Sequence, residues 1–165
     1  MKRKLPIILA IITSIGLIMA GCAPACPNIG DRAPNFTLSN IDGESLSLND
    51  FKGNPVMVNF WSTRCVPCLS EMPHIQAVYD EQSNQGLVVL AINISDSAAT
   101  AHDFMARQGF TFTVLLDPQM KVFQNYCLPN AIPITLFINA EGIIKATKVG
   151  AFQSADEIES ILKSL

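Results

Sequence analysis

The sequence predicts an α/β fold: a mixed sheet with helices on both faces and a β-hairpin in front of it. Three observations carry this. The runs 55–60 and 87–93 are almost wholly apolar, as strands buried on both faces are. Each run is followed by a stretch with helical character, and strand–helix alternation implies parallel strands covered by helices. Two consecutive strand patterns and a helix then close the chain, which adds an antiparallel strand to the sheet.

Taken in order, Phe36 to Leu38 reads as a short strand. Asn40 to Gly43 is a turn, and Ser45 to Leu48 alternates as a half-buried strand does. Pro55 to Phe60 is the first buried strand. The helix after it should run from Cys65 to Asp80, with Leu69, Met72, Ile75 and Val78 near helical spacing and Pro73 bending it. Leu87 to Asn93 is the second buried strand. Ala98 to Gln108 fits a helix stopped by Gly109. Phe112 to Leu116 is a short strand, and Met120 to Tyr126 a helical turn. Ile134 to Asn139 and Ile143 to Val149 form a hairpin around Glu141-Gly142. Ser154 to Leu165 ends the chain as a helix, capped at Ser154 with Glu157 three residues on.

The 165 residues suit one domain, and an apolar fraction of 49% with 15% charged residues excludes a disordered chain. A formal charge of −3 offers no basic surface for nucleic acid. The N-terminus is set apart. Lys2, Arg3 and Lys4 precede an uncharged apolar run from Leu5 to Ala20, the pattern of a secretory signal. The run ends in Met19-Ala20-Gly21-Cys22, which resembles a bacterial lipoprotein signal, in which the cysteine is acylated and becomes the new N-terminus. A plain cleaved signal or an uncleaved anchor helix are the alternatives. The expected organisation is a signal over 1–21, a lipid-anchored tether over 22–34 and a single folded domain over 35–165. Export would place the cysteines where disulfides form.

The chemistry concentrates in Trp61-Ser62-Thr63-Arg64-Cys65-Val66-Pro67-Cys68. Two cysteines three apart at a helix start lie on one face and can close a disulfide. The helix N-terminus favours a thiolate at Cys65, and Arg64 adds positive charge beside it. Thiolate is the form that attacks a disulfide. Cys68, one turn deeper, suits the resolving role, and Pro67 pre-sets helical geometry. A structural disulfide or half of a zinc site are the blander readings. Zinc needs about four ligands, and His74 and His102 are scattered singles, so no metal and no other cofactor is expected.

Val58 to Pro73, around the Cys-Val-Pro-Cys motif, resembles the signature of TlpA/ResA-type thioredoxin-like oxidoreductases. Ala33 to Leu38, Gly43 and Leu48 to Gly53 resemble that family's N-terminal hairpin. Tyr126, Ile132 to Ile138 and Gly142 resemble its second landmark. The similarity spans 30–165. It implies a thioredoxin fold and a membrane-anchored, extracytoplasmic thiol–disulfide enzyme. On this resemblance Cys65, Cys68 and Glu71 are catalytic, with Glu71 moving protons to and from Cys68. Trp61, Arg64, Ile132 and Pro133 face the substrate, Pro133 matching the family's cis-proline. Arg64 stands where the family has an aromatic, and Asn59 where cytoplasmic thioredoxins have a buried aspartate. The implied partners are a protein disulfide, such as apocytochrome c, and a membrane electron donor.

Two other readings remain open. A peroxiredoxin-like thiol peroxidase needs Pro-x-x-x-Thr/Ser-x-x-Cys; Ser62 and Cys65 fit, but Val58 holds the proline position. A Cu(I) metallochaperone lipoprotein would use the same cysteine pair. Cys127 is expected to be a buried, inert thiol, with a third redox cysteine near the Pro133 loop as the alternative, and Cys26, in the tether, free or paired.

Overall fold

The computed structural model describes residues 26–165. The signal expected over 1–21, the anchor Cys22 and the start of the tether lie outside the described residues. In chain order the elements are β1 (Thr37–Asn40), β2 (Ser45–Ser47), β3 (Val56–Trp61), α1 (Val66–Gln82), β4 (Val88–Asn93), α2 (Ala98–Gln108), β5 (Thr113–Leu116), α3 (Lys121–Asn125), β6 (Ile134–Ile138), β7 (Ile144–Val149) and α4 (Ala155–Leu162). The strands form one sheet in the order β2-β1-β5-β4-β3-β6-β7. β3, β4 and β5 are parallel neighbours, while β6, β7, β1 and β2 join antiparallel.

Every residue of β3 is buried, because β4 and β6 flank it and both its faces are covered. Its side chains alternate between two cores. Val56, Val58 and Phe60 join Leu90, Ile92, Phe123 and Leu136 on one face. Met57 and Trp61 join Cys68, Met72, Ile75, Ala101 and Ile158 on the other. Helices α1, α2 and α4 therefore cover the second face, while α3 covers the first. Each fully buried side chain of this size stabilises the fold by about 2 kcal/mol.

The helix ends follow their local chemistry. Ser97 Oγ accepts the Thr100 N–H to open α2, and Gly109, at φ 72, closes it in the left-handed region that glycine tolerates. Asp117 accepts the N–H groups of Lys121, Val122 and Phe123 at 2.8–3.1 Å and so starts α3. Ser154 accepts the Glu157 N–H at 3.3 Å, but the Glu157 carboxylate turns to Gln153 N–H and Lys148 instead of closing a reciprocal box. α1 runs unbroken across the exposed Pro73.

Two expectations need correction. The stretch expected to be a loose tether is docked from Cys26 on. Gly30 N–H donates to Ile144 O, Ile144 N–H to Asp31 O and Ala33 N–H to Gly142 O. The cause is edge strand β7, whose start offers unpaired backbone groups to a passing segment. Cys127 is not a buried thiol. It is exposed, at φ 50 just past the end of α3, and forms a disulfide with Cys26 with a Cα–Cα distance of 5.5 Å.

Candidate active site

β3 delivers the chain to the end of the sheet, where residues 62–64 turn into α1. Asp96 holds that turn. Its carboxylate accepts the Thr63 N–H at 2.8 Å, the Thr63 hydroxyl at 2.9 Å and the Asn93 side-chain amide at 2.7 Å. Burial opposes ionisation of Asp96, yet the bonds from Thr63 and Asn93 and the charge of Arg64 together bring its carboxyl below the usual value. Ser62 O in turn accepts the Cys65 N–H at 3.2 Å.

Cys65 is the N-cap of α1, and its sulfur accepts the Cys68 N–H at 3.2 Å. In the dithiol state such a donor favours sulfur as thiolate. Cys65 and Cys68 form a disulfide with Cα atoms 5.2 Å apart. Cys65 is partly exposed, whereas Cys68 has no exposure at all. The Ile132–Pro133 peptide is cis, and the Ile132 carbonyl oxygen lies 3.6 Å from Cys65 Sγ. Thus the reachable sulfur has the backbone carbonyl of the cis peptide beside it.

Glu71, one turn beyond Cys68, is completely buried. Its carboxylate accepts the Asn59 side-chain amide at 2.8 Å and the Phe152 N–H at 2.9 Å. Burial pushes its pKa up to about 7, against the lowering pull of those two bonds and of Lys148. Asn59 also donates to Thr135 Oγ1 at 2.9 Å, which leaves its own Oδ1 buried without a donor.

The sequence-predicted residues fall into three groups. Cys65 and Ile132 meet at the surface, half-buried, with Pro133 buried directly behind Ile132. Cys68 and Glu71 lie sealed on the helix behind them. Arg64 is exposed beside Cys65, and Trp61 is fully buried, its ring tilted at 43° against Phe104 with centroids 5.4 Å apart, so it presents no surface to a partner in this state. Sequence reasoning missed Asp96, Thr135 and the Phe152 N–H. Asp96 and Thr135 carry no motif, and a backbone donor is invisible in a sequence. It also missed Val149, which is 55% exposed, and Gly150, whose N–H donates to Pro133 O at 2.9 Å.

The model of the AhpC/TSA family matches residues 29–147. The thiol-disulfide oxidoreductase ResA of Halalkalibacterium halodurans is 34% identical over 136 residues, which cover 81% of this chain and 77% of that protein. The chain belongs to the AhpC/TSA family, among its ResA-type thiol–disulfide oxidoreductases. ResA of Bacillus subtilis is 38% identical over 120 residues, covering 73% of this chain and 65% of its own length. Among solved structures, a putative thiol:disulfide interchange protein DsbE from Chlorobium tepidum superposes with a TM-score of 0.76 at 27% identity. That match covers 84% of this chain and 97% of the other. The fold is therefore thioredoxin-like, and the chain has a Cys-x-x-Cys pair, Cys65 and Cys68, at the start of α1.

Proposed function

We propose that the protein is a lipid-anchored, extracytoplasmic reductant of protein disulfides. One observation carries the reading: Cys65 is open to solvent beside the Ile132 carbonyl, while Cys68 and Glu71 are closed off behind it. Reduced Cys65, as thiolate, attacks a substrate disulfide. A bond forms between Cys65 and one substrate sulfur, and the other leaves as thiolate and takes up a proton. Cys68 gives its proton to the Glu71 carboxylate and attacks Cys65. The Cys65–Cys68 bond forms and the second substrate sulfur departs. Two electrons pass to the substrate, and a membrane electron donor must return them.

Glu71 suits this role because a pKa near 7 lets it both hold and release a proton at neutral pH. The orphaned Asn59 Oδ1 is an acceptor for a proton brought into the same buried space. Ile132, held in place by the cis peptide to Pro133, offers its backbone to an extended substrate segment, and Arg64 sits where its charge acts on both Cys65 and the partner. The exposed Cys26–Cys127 disulfide fits an oxidising compartment, as do the basic start, the apolar run and Gly21-Cys22. Resemblance to ResA-type proteins favours the haem-site cysteines of apocytochrome c as substrate. Val58, buried in mid-strand between Leu90 and Leu136, is far from a proline-built peroxide cradle.

Cys68→Ser tests the order of attack. It should accumulate a covalent adduct between Cys65 and its partner, seen as a band lost on reduction. Absence of any adduct in cells would sink the scheme. A redox titration tests direction: a potential below about −220 mV supports a reductant, and one near −120 mV an oxidant.

A further inference from the structure

The Cys26–Cys127 disulfide has no part in the exchange chemistry, yet its place in the fold is informative. Residues 30–33 are held at the start of β7, by Gly142 and Ile144, which is the end of the hairpin remote from Pro133. Backbone pairing alone would let the chain leave the domain there. The disulfide instead carries it back along β7. Pro27, Asn28 and Ile29 share a cleft with Cys127, Leu128 and Thr147. Thr147 pairs with Leu136, two residues into β6 from the active-site end. The exit point thus moves about 10 Å along the strand toward Ile132 and Pro133.

The distance to the anchor shrinks as well. Four Cα steps separate Cys22 from Cys26 and span at most about 14 Å, whereas eight steps to Gly30 span about 28 Å. A second observation points the same way. The exposed large apolar residues among those described are Ile29, Val66 and Val149. Ile29 lies beside the exit and Val149 at the end of β7, next to Pro133. Val66 adjoins Cys65. Ile29 and Val149 thus mark the two ends of this edge, and Val66 is an exposed apolar side chain next to the reactive sulfur.

We propose that the Cys26–Cys127 disulfide sets the orientation of the domain on the membrane, turning the edge from Cys127 to Pro133, with Cys65 on it, toward the bilayer surface. The proposal rests on the lipid-anchor reading of Cys22 given above. A short, clipped tether confines Cys65 to a thin layer over the membrane and raises its effective concentration toward membrane-borne disulfides.

Trp61 is the chain's single tryptophan and lies at the active-site end of β3, so it reports the height of that end. The acylated full-length protein would be placed on vesicles carrying dansyl-labelled headgroups, with the Cys65–Cys68 pair oxidised throughout. Energy transfer from Trp61 should be strong in the unaltered chain. It should fall to less than about half in Cys26→Ser/Cys127→Ser, and also when about eight Gly/Ser residues are inserted after Pro24 with the disulfide intact. The insertion keeps the test valid where loss of the disulfide weakens the fold. Equal transfer in all three, with all three floating with the vesicles, overturns the proposal and leaves the anchor standing. An unaltered chain that does not float overturns the anchor, and the proposal with it.

Discussion

The two disulfides place the same bond in opposite settings. Cys65 and Cys68 are three residues apart, at a helix start, with a buried acid behind and a carbonyl in front. Cys26 and Cys127 are 101 residues apart, both exposed, on a surface cleft with no acid among its lining residues. By the loop-entropy argument the first constrains the unfolded chain by only about 1–2 kcal/mol, and the second by about 4–5 kcal/mol. A bond that must open and close in each turnover carries little of the fold's stability. The bond between Cys26 and Cys127 carries much of it and touches no reacting atom. Reactivity and stability are thus assigned to different cystines.

The sharpest way to break this comparison is to remove each cystine in turn. Cys65→Ser should reduce exchange with a soluble disulfide substrate to background, whereas Cys26→Ser/Cys127→Ser should leave that rate unchanged; a turnover assay on both decides it. In denaturant the ranking inverts. The Cys26/Cys127 variant should lose about 4–5 kcal/mol of unfolding free energy. A loss no larger than that of a single surface substitution would deny the clip its structural role.

The next effect belongs to Glu71. Below about pH 4.5 its carboxyl is protonated in both folded and unfolded chains and costs nothing. Between 4.5 and about 7 the unfolded chain releases the proton while the folded chain keeps it, so stability falls as pH rises. Above about 7 the full cost, about 3 kcal/mol, is present. Glu71→Gln should flatten that slope and shift the pH profile of exchange. Denaturant midpoints at pH 5 and pH 8 measure the first, and an unchanged exchange profile would reduce Glu71 to a packing residue. Smallest is Asp96→Ala, which strands the Thr63 N–H and should cost about 1–3 kcal/mol. Its melting temperature should drop while the mixed-disulfide chemistry of Cys65 survives.

The fold was largely legible because its central strands are continuous apolar runs and its helices have local caps. Cys65, Cys68 and Pro133 were legible for the same reason: each lies in a short contiguous pattern. Glu71 was singled out by the family resemblance, but its complete burial was not legible, since that depends on Phe152 and Asn59 arriving from elsewhere in the chain. The Cys26–Cys127 pairing joins segments more than a hundred positions apart, and no local pattern reports it. Cys127 departs from the buried thiol expected of it because the left-handed turn after α3, which brings it to the surface, has no glycine to signal it.

The alternation of β3 has a last consequence. Asn59 reaches Glu71 only because it sits an even number of positions from Met57 and Trp61, on the helix-covered side. Inserting one residue upstream of Asn59 within the strand would swing its amide into the oily layer beneath α3 and aim a valine or phenylalanine at the acid. Inserting two would keep the facing but move the amide along the helix. The Asn59–Glu71 hydrogen bond is therefore locked to the parity of a strand that never meets the solvent, so a change of length in β3 disturbs it more than a like-for-like exchange of residues would.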